Sequence, residues 1–417
     1  MSSRQTIKMT ITAALAIVCS IPFPALAVHW KVIQVTDNDG IQDREPQVVS
    51  QGWVAWPAEM ADRDQEVMLY GGQPRTTRQI TDNDFLDGHI RISWDLGSQK
   101  VTLCWRGRCG PDDTGEIFTL GAKGPIRLTD NNYDDKGPQI WGNHIVWEGQ
   151  HNNADWEIFR YTPSLDVVQL TKDTLDDYRP AVSGSRILWA KEDPEGDYGQ
   201  ETYFFDGIDE IVRLTADRYM ETDHDIDGTH LVWGVFHGSG TVGDWEVHHK
   251  RGNDPVEQLT DNDYADLNPV VSGDRIAWIQ YDENDYEVMY YDGETIRQLT
   301  DNDTDDEEVS ISGERVVWVQ YGRAGTSSYD GQILVFDDSD DSTTVLEDGH
   351  DDGFYPQIAG DLIAWQVWDG HDFEIMLAIA CDEMPGDANK DCVVDLADFA
   401  ELASDWMECS LPPAFCP

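Results

Sequence analysis

Residues 258–303 decide the fold and read QLTDNDYADLNPVVSGDRIAWIQYDENDYEVMYYDGETIRQLTDND. The stretch begins and ends with the same phrase, Gln-Leu-Thr-Asp-Asn-Asp. Between the two copies lie a proline, a Ser-Gly turn, an apolar run that contains a tryptophan, and a Tyr-Glu-Val-Met run. A self-similar unit of this length is typical of solenoids, propellers and other repeat architectures.

The same unit recurs along most of the chain and can be followed by its tryptophan. Eight such tryptophans are spaced 40 to 49 residues apart, at Trp56, Trp105, Trp147, Trp189, Trp233, Trp278, Trp318 and Trp365. Clear copies of the Thr-Asp phrase begin at Thr36, Thr81, Thr129, Thr260 and Thr300, with weaker copies at Thr171 and Thr215. These markers predict eight units. The second unit is irregular around residues 87–95, so seven units remain the alternative.

Each unit contains four short strand candidates. In the stretch quoted above they are residues 268–271, 275–280, 286–291 and 295–300, which are rich in Val, Ile, Tyr and Trp and separated by turn residues. The strand that contains Trp278 is apolar on both faces, so another sheet must cover each side. Four-stranded sheets stacked radially as the blades of a propeller meet this requirement.

The two ends of the repeat region predict that the ring is closed. The last unit, residues 356–380, has only three strand candidates, and its fourth is missing. Residues 29–36 resemble that missing strand and are followed by the Thr-Asp phrase. We therefore expect the N-terminal strand to complete the last blade, because an open array would need polar capping units.

These units resemble the TolB-like propeller repeat. The resemblance rests on Leu259-Thr260, Pro269, the turn Ser272-Gly273-Asp274 and the strand Ile276-Ala277-Trp278, and it covers roughly residues 29–380. It implies an all-β propeller of about eight four-stranded blades. It does not specify a function, because such propellers serve as binding platforms and as domains of enzymes alike.

The first 27 residues have the pattern of a secretory signal peptide. Arg4 and Lys8 precede an apolar run, and Ala25-Leu26-Ala27 is a small-x-small cleavage site that leaves Val28 as the mature N-terminus. We expect a secreted protein, extracellular or at the cell surface with the periplasm as the alternative, and no membrane span in the mature chain. Acidic residues outnumber basic ones 81 to 28, which argues against nucleic acid and anionic membranes as partners.

The composition changes after Cys381, where residues 386–408 read GDANKDCVVDLADFAELASDWME. Oxygen ligands fall at the alternating positions of a calcium loop, at Asp387, Asn389, Asp391, Val393 through its backbone carbonyl, Asp395 and Asp398. An apolar stripe then predicts a helix. The segment resembles one half of a type I dockerin. That resemblance implies calcium as the cofactor and a protein scaffold or a cell-surface component as the partner. It departs from the family in Cys392, where a glycine is usual, and in the absence of a second copy.

Six cysteines remain after cleavage of the signal, and an even number in an exported chain suggests disulfide bonds. Cys104 and Cys109 would close a hairpin loop. In the tail, Cys392 and Cys409 bracket the predicted helix and could pair, which would leave Cys381 and Cys416 to close the outer loop, but the sequence leaves the connectivity open.

The remaining polar motifs have two interpretations each. We interpret the Thr-Asp-Asn-Asp phrases as Asx turns between blades, with a circle of weak calcium sites as the alternative. The repeated tryptophans are interpreted as blade core, and Trp156, Trp245 and Tyr286 as better candidates for exposed aromatic side chains. The histidines that a metal-dependent lyase of uronic-acid polymers would use are His224, His230, His237, His248 and His249, but their spacing favours isolated residues. No Gly-x-Ser-x-Gly motif is present, and no catalytic residue is assigned.

The sequence thus predicts three segments: a signal peptide at 1–27, a TolB-like propeller at 28–380 and a dockerin-like calcium-binding tail at 381–417. We expect a secreted, non-catalytic binding or scaffold protein whose propeller binds a protein or a glycan and whose tail attaches it to a partner. The alternatives are a carbohydrate-active enzyme, a polysaccharide lyase or glycosidase carried on the propeller, and a purely structural envelope protein.

Overall fold

A computed structural model of the chain describes residues 28–381 apart from 62, 110–113, 152–154, 194–198, 218, 240–241, 323–329 and 347–351. The described residues form thirty-three strands in eight antiparallel sheets and contain no helix. This part of the chain accordingly has no helix long and apolar enough to cross a membrane. The predicted signal peptide, the tail helix and the calcium loop lie outside the described residues.

The eight sheets follow one another along the chain as blades 1 to 8. Blade 1 contains β2 (Gln42–Asp43), β3 (Gln47–Val49), β4 (Trp53–Glu59), β5 (Gln65–Gly71) and β6 (Thr76–Gln79). Blade 2 contains β7 (Leu86–Asp95), β8 (Lys100–Arg108), β9 (Gly115–Gly121) and β10 (Gly124–Arg127). Blade 3 contains β11 (Asp135–Trp141), β12 (His144–His151), β13 (Asp155–Thr162) and β14 (Asp166–Gln169). Blade 4 contains β15 (Asp177–Ser183), β16 (Arg186–Glu192), β17 (Gln200–Phe205) and β18 (Ile211–Arg213).

The second half of the ring repeats this pattern. Blade 5 contains β19 (Met220–Asp227), β20 (His230–Ser239), β21 (Val242–Arg251) and β22 (Glu257–Gln258). Blade 6 contains β23 (Ala265–Ser272), β24 (Arg275–Tyr281), β25 (Tyr286–Tyr291) and β26 (Ile296–Gln298). Blade 7 contains β27 (Asp306–Ser312), β28 (Arg315–Tyr321), β29 (Gly331–Asp337) and β30 (Ser342–Val345). Blade 8 contains β31 (Gly353–Ala359), β32 (Leu362–Trp368), β33 (Phe373–Cys381) and β1 (His29–Gln34).

The N-terminal strand closes the ring, as predicted. Strand β1 pairs antiparallel with β33, from His29 opposite Cys381 to Gln34 opposite Met376. Eight apolar clusters lie in the described residues, one between each pair of neighbouring blades. The cluster between blades 8 and 1 includes Trp56 and Leu377 and joins the two ends of the repeat. The irregular second unit is a full blade, so the count is eight and the seven-blade alternative is wrong.

The repeated tryptophans form the core of the ring. All eight have fully buried side chains, and each apolar cluster contains one of them. In blade 6, Trp278 packs with Val232 and Val247 of blade 5. The interpretation of these tryptophans as blade core is therefore confirmed.

Every first strand carries the same backbone irregularity. In blade 6 the pairing of β23 with β24 shifts register between Leu267 and Val270, and Asn268 has a φ of 52°. The other blades have a residue with positive φ at the equivalent position, namely Glu45, His89, Gly137, Arg179, Asp223, Glu308 and Tyr355. The sequence predicted that this strand begins at Asn268. It begins at Ala265, because a bulge lets pairing continue past the left-handed residue.

Serines near the end of four first strands fasten one blade to the next. The hydroxyl of Ser272 accepts a hydrogen bond from the backbone N–H of Gly313 in blade 7, at 2.9 Å. Gly313 has a φ of 58°, a conformation that glycine adopts at little cost. Equivalent bonds join Ser93 to Gly142, Ser183 to Gly228, and Ser312 to Gly360. The serine at this repeated position therefore acts between blades as well as within one.

The predicted bond between Cys104 and Cys109 is wrong, because both cysteines are free. Cys104 lies in strand β8 and Cys109 follows the end of that strand. Five residues of extended chain span about 17 Å, well beyond the reach of a disulfide. Burial raises the pKa of the Cys104 thiol to about 12. Cys381 is disulfide-bonded, and the pairings proposed within the tail lie outside the described residues.

Candidate functional site

We call the face at which the first strand of each blade begins the upper face, and the opposite face the lower face. The crossovers between blades and the hairpins between second and third strands lie at the upper face, because neighbouring strands are antiparallel. The Thr-Asp phrases and the bulged first strands therefore share one face of the ring.

The Thr-Asp-Asn phrases form hydrogen-bonded turns at the upper face. Before blade 6, Asn262 Oδ1 accepts the backbone N–H of Tyr264 at 2.7 Å, and Asn262 Nδ2 donates to Asp266 Oδ2 at 2.8 Å. The other oxygen of Asp266 accepts Trp278 Nε1 at 2.6 Å. The same contacts recur at Asn83, Asn131 and Asn302. The predicted turns are confirmed, and each one also holds the core tryptophan of the blade that follows.

A second repeated contact joins each crossover to the blade before it. Thr300 Oγ1 accepts the backbone N–H of Val288, and the backbone N–H of Asn302 donates to Glu287 Oε1, both at 2.8 Å. The glutamate at this position is buried in most blades. Burial raises the pKa of Glu287 and raises the pKa of Glu157 and of Glu246 to about 7. Buried glutamates therefore lie beneath the upper face, and burial raises the pKa of several of them.

The first strands line a polar cavity at the centre of the ring. Its volume is about 470 Å³, and seven of the eight first strands contribute to its wall. The polar residues in that wall are Gln47, Arg91, Gln139, Asp225, Ser310 and Gln357. Arg91 Nε donates to Gln139 Oε1 at 3.2 Å, and Asp225 accepts the backbone N–H of Val271 at 2.9 Å. The cavity therefore offers amide, hydroxyl and charged groups to a hydrogen-bonding ligand.

The left-handed bulge residues lie at the upper end of these strands and differ from blade to blade. Glu45, His89, Arg179, Asn268 and Tyr355 are exposed. A side chain other than glycine in the left-handed region costs of order 1 kcal/mol. Each blade thus has the same strained bulge, but the side chain that the bulge places near the central cavity differs from blade to blade.

Exposed aromatic side chains gather on the upper face. Of the six with the largest exposed fractions among the described residues, Phe85, Tyr219, Tyr264, Tyr281 and Tyr355 lie there, and Trp141 lies on the lower face. Trp156, Trp245 and Tyr286, which the sequence analysis named as the better candidates for exposure, are half-buried rather than fully exposed. Each of the three packs on a neighbour, Lys136, Phe236 and Tyr281 respectively.

One depression on this face combines an aromatic ring with carboxylates. It has a volume of about 540 Å³ and is lined by Asp261, Asn262, Asp263, Tyr264 and Glu283. It lies between the crossover that precedes blade 6 and the second hairpin of that blade. Tyr264 is 41% exposed there, and Tyr281 at the start of the hairpin is 39% exposed.

Three of the five candidate histidines meet in blade 5. His237 Nε2 and His248 Nε2 are 3.2 Å apart, and the rings of His224 and His248 lie on Trp233 with centroids 6.4 and 6.2 Å away. The interpretation of these histidines as isolated is therefore wrong for the pair. Their register brings them together on one face of the hairpin, which the spacing of eleven residues does not reveal.

The other two candidate histidines are not part of this group. His230 Nδ1 lies 3.4 Å from Asp274, and His249 Nε2 lies 3.4 Å from Glu257. His248 and His249 face opposite sides of the strand, as the sequence predicts. Burial, with the nearby Arg179 guanidinium, lowers the pKa of His224 to about 3, and burial next to His237 lowers the pKa of His248 to about 4. Both rings are therefore neutral near pH 7.

Blade 5 departs from the repeat around these histidines. Glu221 stands where six other blades have the aspartate that binds tryptophan, and it accepts the hydroxyls of Thr202 and Thr215 at 2.5 and 2.7 Å. Burial raises the pKa of Glu221 to about 8. Trp233 Nε1 has no hydrogen-bond partner among the residues described. Blade 5 thus exchanges a structural bond for a cluster of titratable groups.

The metal ligands predicted in the tail cannot be placed. Asp387, Asn389, Asp391, Val393, Asp395 and Asp398 all lie outside the described residues. The sequence analysis did not identify the wall of the central cavity, the bulge residues or the depression near Tyr264. A signal for the last was present, because an aromatic residue follows the Thr-Asp phrase at Phe85, Tyr133 and Tyr264.

Comparison with known proteins supports the fold. No family model matches the chain, and no curated protein matches it significantly. Among solved structures, it is similar to the β-propeller domain of the Trilobed protease from Pyrococcus furiosus, which has an open velcro topology (11% identity, 74% of this chain and 98% of that one, TM-score 0.52). Here, in contrast, β1 joins the last sheet.

The propeller also resembles those of larger peptidases. A puromycin-hydrolyzing peptidase from Mycobacterium tuberculosis is 14% identical over 79% of this chain and 58% of that one, with a TM-score of 0.52. One of two prolyl endopeptidases is 13% identical over 80% of this chain and 51% of that one, with a TM-score of 0.54. The chain thus matches just over half the length of these peptidases. The likeness is one of fold alone.

Proposed function

We propose that this protein is a secreted, non-catalytic binding protein whose upper face binds a neutral polysaccharide. The observation that carries the proposal is the gathering of exposed aromatic rings on one face, beside carboxylates and amides. The face of a sugar ring packs on an aromatic side chain, and its hydroxyls hydrogen-bond to carboxylate and amide groups. A net charge of −53 disfavours a polyanionic ligand.

The proposal gives the depression near Tyr264 the central role. Its volume of about 540 Å³ is within the range of sites that take small ligands. Asp261, Asp263 and Glu283 supply acceptors for sugar hydroxyls. The central cavity and the bulge residues would extend the contact surface toward the centre of the ring.

Affinity electrophoresis tests the proposal. The mature protein from Val28 would run in gels that contain neutral polysaccharides such as a xylan, a galactan or a glucan, and in a gel that contains a polyuronate. We expect retardation by a neutral polymer, loss of retardation in Tyr264→Ala/Tyr281→Ala, and full retardation in Trp141→Ala. Trp141 is a matched control because it is equally exposed on the lower face. Equal loss in both variants would contradict the proposal, and retardation by no polymer would favour a protein ligand.

We further propose that the dockerin-like tail binds calcium through Asp387, Asn389, Asp391, Val393, Asp395 and Asp398, and attaches the propeller to a protein scaffold or a cell-surface component. The support is the spacing of oxygen ligands in the sequence. Loss of one bound calcium in Asp387→Asn/Asp391→Asn, measured by calorimetry, is the expected result. Unchanged binding would contradict it.

A polysaccharide lyase or glycosidase is the second candidate, and the contact between His237 and His248 favours it. Two imidazole nitrogens about 3 Å apart can share a proton or bind one transition metal. Assay of the wild type on polyuronates would test this function. An enzyme that uses the pair would lose activity in His237→Ala and keep it in His230→Ala, whereas absence of product from the wild type would eliminate this candidate.

A further inference from the structure

Two blades carry three carboxylates at the tip of the same hairpin. In blade 6 these are Asp282, Asp285 and Glu287, and in blade 8 they are Asp369, Asp372 and Glu374. Both sets have the spacing D-x-x-D-x-E. In each set, one carboxylate oxygen per residue lies within 4.8 Å of the others. We call the two sets the blade 6 triad and the blade 8 triad.

The first aspartate of each triad shapes the hairpin. Asp282 Oδ1 accepts the backbone N–H groups of Asn284 and Asp285 at 2.9 and 3.2 Å. Asp369 Oδ1 accepts those of His371 and Asp372 at 2.8 and 3.1 Å. These bonds fold the turn so that the second aspartate points back toward the glutamate.

The blade 6 triad has buried oxygens that lack partners. Asp285 is only 4% exposed, and neither of its carboxylate oxygens has a hydrogen-bond partner in the described part of the chain. Glu287 is 1% exposed, and its Oε1 accepts Asn302, while its Oε2 has no such partner there. A buried carboxylate without a partner is strongly disfavoured.

The blade 8 triad repeats this condition. Asp372 is 1% exposed, and its Oδ2 accepts the backbone N–H of Gly40. Glu374 is fully buried, and its Oε1 accepts the backbone N–H of Asn38 at 2.9 Å. Asp372 Oδ1 and Glu374 Oε2 have no hydrogen-bond partner within the residues that the structure covers. A partnerless glutamate oxygen also occurs in blades 1 to 4, so the buried second aspartates, Asp285 and Asp372, are what distinguish these two hairpins.

Two other blades balance the same glutamate with an arginine on the fourth strand. In blade 2, Arg127 Nη2 lies 3.1 Å from Glu116, and in blade 4, Arg213 Nη2 lies 2.9 Å from Glu201. The equivalent residues on the fourth strands of blades 6 and 8 are Gln298 and Gln34. The equivalent residue is also a glutamine in blades 1, 3 and 5, at Gln79, Gln169 and Gln258. Among the described residues, what distinguishes blades 6 and 8 is the pair of aspartates that joins the glutamate in a triad.

We infer that each triad binds one calcium ion. Calcium takes six to eight oxygen ligands at about 2.3–2.6 Å, so ligand oxygens up to about 5 Å apart fit around one ion. Each triad supplies three carboxylates, and water would complete the shell, since the hairpin tips lie at the surface. Magnesium suits the site less well, because it requires a near-ideal octahedron and loses its water reluctantly.

Calorimetric titration of the chelator-treated mature protein with calcium chloride tests the inference. We expect Asp285→Asn/Asp372→Asn to bind two fewer ions per chain than the wild type. The tail variant Asp387→Asn/Asp391→Asn should retain both of these ions. Glu294→Gln is the control, because it removes an exposed acid from blade 6 at the lower face and should change nothing. A stoichiometry unchanged in the double variant, or a wild type that binds no calcium, would overturn the inference.

Thermal unfolding separates loss of binding from loss of the fold. In chelator the double variant should unfold at a temperature equal to or higher than the wild type, because it lacks the repulsion. In saturating calcium it should unfold at a lower temperature, because only the wild type gains binding energy. If the double variant unfolds at a lower temperature than the wild type by the same amount in chelator and in calcium, the triads have only a structural role. The number of bound calcium ions is measured without polysaccharide, so a failure of the proposed polysaccharide binding would not change this result.

Discussion

At the scale of the residue, the chain uses one hydrogen bond repeatedly to fix its largest core side chain. Trp278 donates to Asp266, which Asn262 holds from the preceding crossover. A buried tryptophan usually needs a partner for its N–H group, since burial removes it from water. This linkage places the core and the crossover in one network.

A pair of tryptophan substitutions tests the value of that bond. Trp278→Phe removes a ring and breaks a bond to a buried carboxylate, whereas Trp233→Phe removes only a ring, because Trp233 Nε1 has no partner among the described residues. We expect Trp278→Phe to lose about 1–2 kcal/mol more of the free energy of unfolding. Denaturant unfolding of both variants measures the difference, and equal losses would show that the bond contributes nothing.

The sequence predicts some residues better than others for a physical reason. Trp278 was placed in the core because an apolar side chain in an apolar run has one favourable location. The partnership of Asp266 with that tryptophan was not predicted, because a polar side chain has many alternatives. The contact between His237 and His248 was also not predicted, because only the register of β20 and β21 brings the two side chains together.

At the scale of the element, strand β1 contributes to two interfaces at once. Trp30 and Val32 pack against the cluster between blades 7 and 8, and Ile33 packs against the cluster between blades 8 and 1. The strand therefore stabilises both sides of the closing blade. Its six residues connect the two ends of the repeat without any covalent bond.

Removal of β1 should destabilise the whole ring. We expect a chain that begins at Val35 to unfold at a lower temperature and over a broader range than a chain that begins at Val28, because the last sheet loses its fourth strand. Differential scanning calorimetry of the two chains checks this. Identical transitions would show that closure by β1 does not stabilise the propeller.

The bounds of a strand were predictable where its own residues determine them, and less so where pairing with the neighbouring strand determines them. In blade 6 the third strand agrees with its predicted bounds, 286–291. The first strand is longer than the predicted 268–271, because the ladder continues past the left-handed Asn268 as a bulge and begins at Ala265. A left-handed asparagine is consistent with a turn or a bulge, and only the partner strand decides between them.

At the scale of the whole molecule, buried carboxyl groups make stability depend on pH. Burial raises the pKa of Glu221 to about 8 and the pKa of Glu157 to about 7, both well above that of an unfolded glutamate. A group whose pKa is raised on folding binds its proton more tightly in the folded state. Its contribution is complete below the unfolded pKa and is lost as the pH rises through the folded value.

The unfolding temperature in chelator should therefore fall as the pH rises from about 5 to about 9. Glu221→Gln should flatten the upper part of this profile, because the amide mimics the protonated acid. A thermal unfolding series across this pH range, with the two proteins side by side, checks both expectations. A wild-type profile that rises over the same range would contradict them.

The ring was largely predictable at this scale, but the binding face was not. Eight tryptophans gave the blade count, and the missing fourth strand predicted closure. The common location of Tyr264, Tyr281 and Tyr355 depends on which loops share a face, and that follows only from the strand order. The shape of the depression near Tyr264 depends further on the turn at Glu283, whose φ is 79°.

Hydrogen exchange with and without a bound neutral oligosaccharide tests the proposed binding face most directly. We predict slower exchange at the crossover 261–264 and the hairpin 281–286, and unchanged exchange at the lower-face turn 292–295. Trp141→Ala should give the same pattern as the wild type, and Tyr264→Ala/Tyr281→Ala should give none. Protection confined to lower-face turns, or no protection at saturating ligand, would contradict the account.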